Sequence, residues 1–299
     1  MSVRSHPAAR SISRDTIGAR VDPFVHTIDA RWLMAYAAAL GETDPRYFDT
    51  LADAGPLAHP LFAVCYEWPV AVALREATIA AELHPFSVHA THHLIVHRTP
   101  RAGDTLRTRA HVIAVEPRRA GTLVVSRFET TDGGGRPVTT TDYGSVYRGV
   151  IASGAAPPAA SVATAAADSV AAPVARATAA PPRWTDVVTV NVNAARVYTE
   201  CARIWNPIHT DVAVARGAGL ADPILHGTAT LALSVSRLVA RDLGGAAERV
   251  REIRARFTGM VALPSSFTVR GGPREGAAVT FDAVAPDGAP ILSQGVVSV

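Results

Sequence analysis

Apolar and polar residues follow two different periods along this chain, and both periods appear twice in the same order. "WLMAYAAALGETDPRYFD" and "ARVYTECARIWNPIHTD" each read as a short helix running into a polar, Pro-containing turn. A second Pro turn and a longer apolar run come after each of them, "AHPLFAVCYEWPVAVAL" and "ADPILHGTATLALSVSRLVARDL". In the latter, Leu225, Ala229, Leu231, Ala232, Val235 and Leu238 nearly encircle a helical axis, which predicts a helix buried on most sides. The pattern then changes to alternation. It covers "HHLIVHRTPRAGDTLRTRAHVIAVEP" and "GTLVVSRFETTDGGGRPVTTTDYGSVYRG" in the first half, "REIRARFTGMVALPSSFTVRGG" and "AAVTFDAVAPDGAPILSQGVVSV" in the second. Period-two alternation broken by Asp-Gly and Gly-Gly turns predicts antiparallel hairpins. A buried helix followed by several antiparallel strands, done twice, predicts an α+β architecture in which a sheet wraps a central helix in each half.

The two halves are predicted at 1–151 and 183–299. Between them, residues 152–182 read "ASGAAPPAASVATAAADSVAAPVARATAAPP". This stretch has no aromatic residue and almost no charge, and its prolines break any long helix, so it is expected to be a linker.

Composition narrows the function. Of the 299 residues, 48% are hydrophobic and 18% charged, enough to bury a sizeable core. All 29 basic residues are arginines, so the pI of 9.2 reflects a compositional bias more than a function. The net charge is only +3 and no basic run forms a stripe, which argues against a nucleic-acid partner. Cys65 and Cys201 lie far apart, so neither a disulfide framework nor a Cys-based zinc site is expected. No apolar run is long enough for a membrane span and the N-terminus does not read as a secretory signal. The expected setting is therefore cytoplasmic. "DGGGRP" lies between strands and reads as a hairpin turn, not as a phosphate loop, and no Gly-x-Ser-x-Gly elbow exists.

The candidate chemistry sits in "NPIHTDVAVARGAGLADPILHGTATLAL", Asn206 to Leu233. Asn206, Pro207, His209, Gly219, Pro223, Leu225, His226 and Gly227 match a signature in which Asn-Pro-x-His precedes a short helix and a Pro-x-Leu-His-Gly helix start. This resembles the MaoC-like dehydratases, the family of (R)-specific enoyl-CoA hydratases. "HRTPRAGDTL", His97 to Leu106, is similar to a turn in the N-terminal half of two-hotdog members. The resemblance covers nearly the whole chain apart from its first 25 residues and the linker. It implies a double hotdog, two antiparallel sheets each wrapping a central helix and forming a pseudo-dimer. The implied substrate is an acyl thioester of CoA or of an acyl carrier protein. No cofactor and no metal are implied, and two such chains could pair as a homodimer.

The resemblance also implies roles. His209 would move protons, Gly227 would offer backbone N–H to the thioester oxygen as it becomes enolate-like, and Asn206 would order the loop by bonding to backbone. His226, Thr228, Trp205 and Arg203 are the candidate substrate contacts, with His226 a hydrogen-bonding or wall residue and Trp205, by type, more often a packing residue than a substrate-stacking one. One departure is clear. The family places an Asp five positions before the His, and here that position is Ile204. Three readings are open: His209 acts alone, a nearby group such as Glu200, Asp211 or Arg203 substitutes, or the site binds a thioester without hydration chemistry. The first half shows the mirror pattern, with Glu42 at the Asp position and Tyr47 at the His position. Glu42 is expected to be a solvated helix-end carboxylate. A non-catalytic partner subunit and a thioesterase remain open on the same fold, and Glu67 is the carboxylate a thioesterase could use. His89, His92, His93 and His97 are expected to scatter over both faces of a strand, at the surface or between the halves, without forming a metal site.

Overall fold

The computed structural model describes residues 10–155 and 181–299. Most of the proposed linker, residues 156–180, lies outside the described residues, while Ala152 and Ser153 still belong to a strand.

The first half begins with β1 (Ser11–Ser13) and β2 (Phe24–Thr27), then helix α1 (Ala30–Ala39) and the central helix α2 (Ala63–Thr78). Strands β3 (Ser87–Val96), β4 (Thr105–Arg118), β5 (Gly121–Thr131), β6 (Pro137–Arg148) and β7 (Ile151–Ser153) complete it. The second half repeats the order with β8 (Trp184–Val190), α3 (Ala194–Ala202), the short α4 (Val212–Gly217) and the central helix α5 (Gly227–Asp242). It closes with β9 (Glu252–Phe257), β10 (Ser265–Glu275), β11 (Ala278–Val284) and β12 (Pro290–Ser298).

The two expected sheets are joined edge to edge. Ten strands form one sheet in the order β2-β4-β5-β6-β3-β9-β12-β11-β10-β8, and the seam is the antiparallel pair β3–β9. His93 is on this seam and holds Glu252 of the other half at 2.7 Å. Pairing of this kind leaves neither half with a free strand edge at the junction.

The core is shared as well. Tyr36, Phe62 and Leu94 from the first half pack in one apolar cluster with Tyr198, Leu231, Leu238 and Phe281 from the second. Leu231 and Leu238 of α5 are almost fully buried, and each such side chain contributes roughly 1.5–3 kcal/mol. The polar residues that α5 buries satisfy themselves locally. Ser234 donates to the Thr230 carbonyl at 2.8 Å and Thr230 to the His226 carbonyl at 3.1 Å. Helices α1 and α3 cross at Tyr36 and Tyr198, whose hydroxyls lie 3.3 Å apart.

One irregularity re-aims two side chains. The β3–β6 register shifts between His89 and Thr91, the mark of a β-bulge. Regular alternation would place His89 and His92 on opposite faces. The extra residue turns both inward, so both line the main cavity. The strand-alternation expectation is thereby corrected for these two. His93 meets it as a contact between halves, and His97 reaches Thr140 on the exposed side.

Candidate active site

The chain enters the site through a change of direction. Helix α3 stops at Arg203, which adopts the left-handed conformation with φ 59°. Ile204 and Trp205 come next, then Asn206 and a single 3-10 turn, Pro207–His209. Proline suits the first position of that turn because its missing N–H would be unpaired there anyway. The Asn206 carbonyl accepts the His209 N–H at 3.1 Å. The Asn206 side chain makes no capping bond and instead faces the cavity, so backbone and not side chain ties this turn.

His209 is buried and its orientation is determined by one bond. Its Nδ1 lies 2.8 Å from the Ile224 carbonyl, which can only accept. Nδ1 therefore carries the proton, and Nε2 is left with a lone pair. Burial lowers the His209 pKa to about 4, partly opposed by that bond. The ring is a neutral base at physiological pH. It stacks on His226 with centroids 3.7 Å apart, and His226 in turn lies 3.2 Å from the Thr199 hydroxyl. Burial and the neighbouring His209 push the His226 pKa well below its ordinary value.

His226 is also the residue before α5. No side chain caps that helix, and its first internal bond runs from Thr230 N–H to the His226 carbonyl at 3.0 Å. The N–H groups of Gly227 and Thr228 thus have no partner within the helix, and the helix dipole favours negative charge beside them. Thr228 is held from behind, since its hydroxyl accepts from Tyr198 at 3.1 Å. A Cβ on Gly227 would sit 3.2 Å from the Phe257 ring, so glycine keeps this approach open.

A cavity of about 750 Å³ runs past these groups. The second half gives it Ile204, Asn206, His209, His226, Gly227 and Thr228, and the first half supplies wall from α2 and β3. Two expected contacts are corrected. Trp205 is 60% exposed and lies outside the cavity wall. Arg203 also lies outside it, because the left-handed turn swings its guanidinium over the Trp32 ring at 4.1 Å and to within 3.6 Å of Asp29.

The possible substitutes for the missing Asp fare no better. Asp211 is the cap of α4, accepting from Ala213 N–H at 2.8 Å and Val214 N–H at 3.1 Å. Glu200 is exposed, and neither it nor Asp211 lines the cavity. Glu42 is not solvated as expected. It is largely buried, accepts from Ser236 of α5 and lies 3.7 Å from His59. The equivalent helix start in the first half differs too. At α2 the N–H groups of Val64 and Cys65 are already taken by the Leu61 and Phe62 carbonyls.

Sequence reasoning named Glu67 only for a thioesterase and missed the rest of the first-half wall. Glu67 is buried in it and accepts from the Thr141 hydroxyl at 2.7 Å. Burial raises its pKa to about 8, outweighing hydrogen bonds that lower it. His89 and His92 also stand in the wall, and only recognition of the bulge could have put them there. Among the described residues, no three His, Cys, Asp or Glu side chains converge as a metal set, and no helix is long and apolar enough to cross a membrane.

Residues 174–276 match the family described as MaoC like domain. Residues 15–141 match the dehydratase domain region of FAS1-like proteins. The second half therefore carries a MaoC-like dehydratase domain and the first half a FAS1-like dehydratase region. The fold of the chain is that of solved double-hotdog proteins. A MaoC-like dehydratase from Phytophthora capsici superposes with a TM-score of 0.76 at 23% identity, over 95% of this chain and 97% of the other. Full-length peroxisomal multifunctional enzyme type 2 from Drosophila melanogaster gives 0.74 at 22% identity, over 93% of this chain and 48% of that one. A Mycobacterium tuberculosis protein described as having a double hotdog fold gives 0.60 at 19% identity, over 94% of this chain and 95% of that one. By sequence, the fatty acid synthase beta subunit pkiC of Emericella nidulans is 34% identical over 83 residues. That match spans 27% of this chain and only 4% of that subunit.

Proposed function

We propose that this MaoC-like chain hydrates a 2-enoyl thioester, or dehydrates the corresponding 3-hydroxyacyl thioester, carried by CoA or an acyl carrier protein. The observation that carries the reading is His209. Its donor nitrogen is committed to Ile224, and its other nitrogen is a neutral base beside an uncapped helix start. The thioester oxygen would accept from Gly227 and Thr228 N–H, where developing negative charge meets orphan donors. As water oxygen bonds to the β-carbon, His209 Nε2 takes one proton. The enolate collapses, and the same proton goes to the α-carbon. One water is consumed, and the reverse sequence releases it. His226 backs the His209 ring, and Asn206 completes the wall beside it. The partial likeness to a fatty acid synthase subunit supports a role in fatty acid or polyketide metabolism.

The thioesterase reading rested on Glu67. Burial raises its pKa to about 8 and one of its oxygens already accepts from the Thr141 hydroxyl, so burial disfavours the ionised form that would activate water. Crotonyl-CoA hydration, followed by loss of enoyl-thioester absorbance, tests the proposal. Wild type should turn over, and His209→Ala should lose on the order of 10²–10⁴-fold in kcat. Release of free thiol in place of hydration would support a thioesterase instead. A folded wild type inert towards all enoyl and hydroxyacyl thioesters would support the non-catalytic subunit.

A further inference from the structure

Besides His209 and His226, a further imidazole stands near the start of α5, and proton transfer by His209 alone leaves it idle. His89 comes from the other half of the chain, turned inward by the bulge in β3. Its ring is clamped between two others. It stacks on Tyr143 with centroids 3.8 Å apart and an interplanar angle of 17°, and leans on Phe257 at 4.1 Å. Its Nε2 lies 3.1 Å from the Thr91 carbonyl, so Nε2 donates there and Nδ1 keeps a lone pair. That Nδ1 is 3.7 Å from where a Cβ on Gly227 would be. The clamp, the tautomer and the direction together aim one hydrogen-bond acceptor at the helix start.

An acceptor there does not serve the thioester oxygen, which needs donors. It serves a reactant that carries hydrogen. The second half offers no such acceptor at position 204, where Ile stands, and neither Glu200 nor Asp211 lines the cavity to supply one.

We propose that His89 Nδ1 is the second hydrogen-bond acceptor of the site and holds the reacting water with His209. The inference rests on the hydratase reading. In hydration, water donates one hydrogen to His209 Nε2 and the other to His89 Nδ1. Its oxygen lone pair is then directed at the β-carbon. As the C–O bond forms, His209 takes its proton, the C=C pair moves towards the thioester oxygen, and His209 returns that proton to the α-carbon. The second hydrogen stays on oxygen as the β-hydroxyl, still donated to His89. His89 never changes charge, so a site that disfavours imidazolium costs it nothing. The site is composite: base and oxyanion donors come from the second half, and the water-positioning acceptor from the first.

Three variants test this on a panel of trans-2-enoyl-CoA thioesters of rising chain length, with folding checked by circular dichroism. His89→Phe keeps the aromatic clamp and removes the lone pair. It should lose on the order of 10²-fold in kcat with KM nearly unchanged. His89→Asn gives up the stack but returns an acceptor near the Nδ1 position, and it should keep more activity than His89→Phe. Adding Ile204→Asp to His89→Phe should recover much of the lost rate. The proposal is overturned if His89→Phe matches wild type while His209→Ala is dead, an outcome that leaves the hydratase reading intact. It is also overturned if His89→Asn falls below His89→Phe, which would make His89 a packing residue. If folded wild type turns over no thioester of the panel, the hydratase reading fails and the role of His89 with it.

Discussion

His92→Phe separates two things a buried histidine can do to this protein. His92 is 2% exposed, and neither of its ring nitrogens bonds to another described protein group. Burial lowers its pKa to about 3. The unfolded chain binds a proton at about 6.5, so at any pH below that value it gains protonation that the folded ring refuses. Titration of His92 therefore leaves stability unchanged above pH 6.5, and stability is lost as pH falls from 6.5 towards 3. At pH 5.5 the loss is about 1–2 kcal/mol relative to pH 7.5. His59, lowered to about 3, and His209, lowered to about 4, act in the same direction. The three together remove about 4 kcal/mol by pH 5.5, a large share of the roughly 5–15 kcal/mol that holds a domain folded. Phenylalanine fills the same space without titrating and without polar ring nitrogens. Its variant should therefore equal or exceed wild type at pH 7.5 and lead by about a further 1–2 kcal/mol at pH 5.5. Urea denaturation followed by tryptophan fluorescence at both values measures this. A variant offset from wild type by the same amount at pH 5.5 and 7.5 would show that His92 titrates normally when folded.

Glu67→Gln tests the opposite limb. Its folded pKa, raised to about 8, exceeds the unfolded value of 4.5, so its cost to stability grows as pH rises from 4.5 to 8. The amide can still accept from Thr141, and denaturation should show the variant gaining about 3 kcal/mol more on wild type at pH 7.5 than at pH 5. Gly227→Ala places a methyl 3.2 Å from the Phe257 ring, so kcat/KM on an enoyl thioester should fall while the melting temperature changes little. Tyr198→Phe removes the hydroxyl that meets Tyr36 at 3.3 Å and Thr228 at 3.1 Å, and should cost about 1 kcal/mol in urea denaturation.

Much of the proposed second-half site could be assembled from sequence because its parts are close in the chain. Asn206, Pro207 and His209 form one local turn, and His226 with Gly227 forms one helix start, so a motif suffices to find them. Arg203 and Trp205 are equally close in sequence but fail as contacts. A single left-handed residue at 203 reverses the side-chain directions, and nothing in the residue types announces it. His89 and His92 were not assigned to this site, and Glu67 was considered only for a thioesterase, because all three come from the other half. Their proximity to it is a product of strand pairing and packing.

The sequence alone determined the repeated helix-then-strands plan, the buried character of α5 and the imidazole of the Asn-Pro-x-His turn. These depend on periodicity and on contacts between near neighbours, which a linear pattern records. Only the tertiary structure decided that the sheets fuse through β3 and β9, that Glu42 faces Ser236, and that a bulge aims His89 at Gly227. Register, bulges and the union of distant elements arise from long-range pairing, where a shift of one residue sends a side chain to the other face.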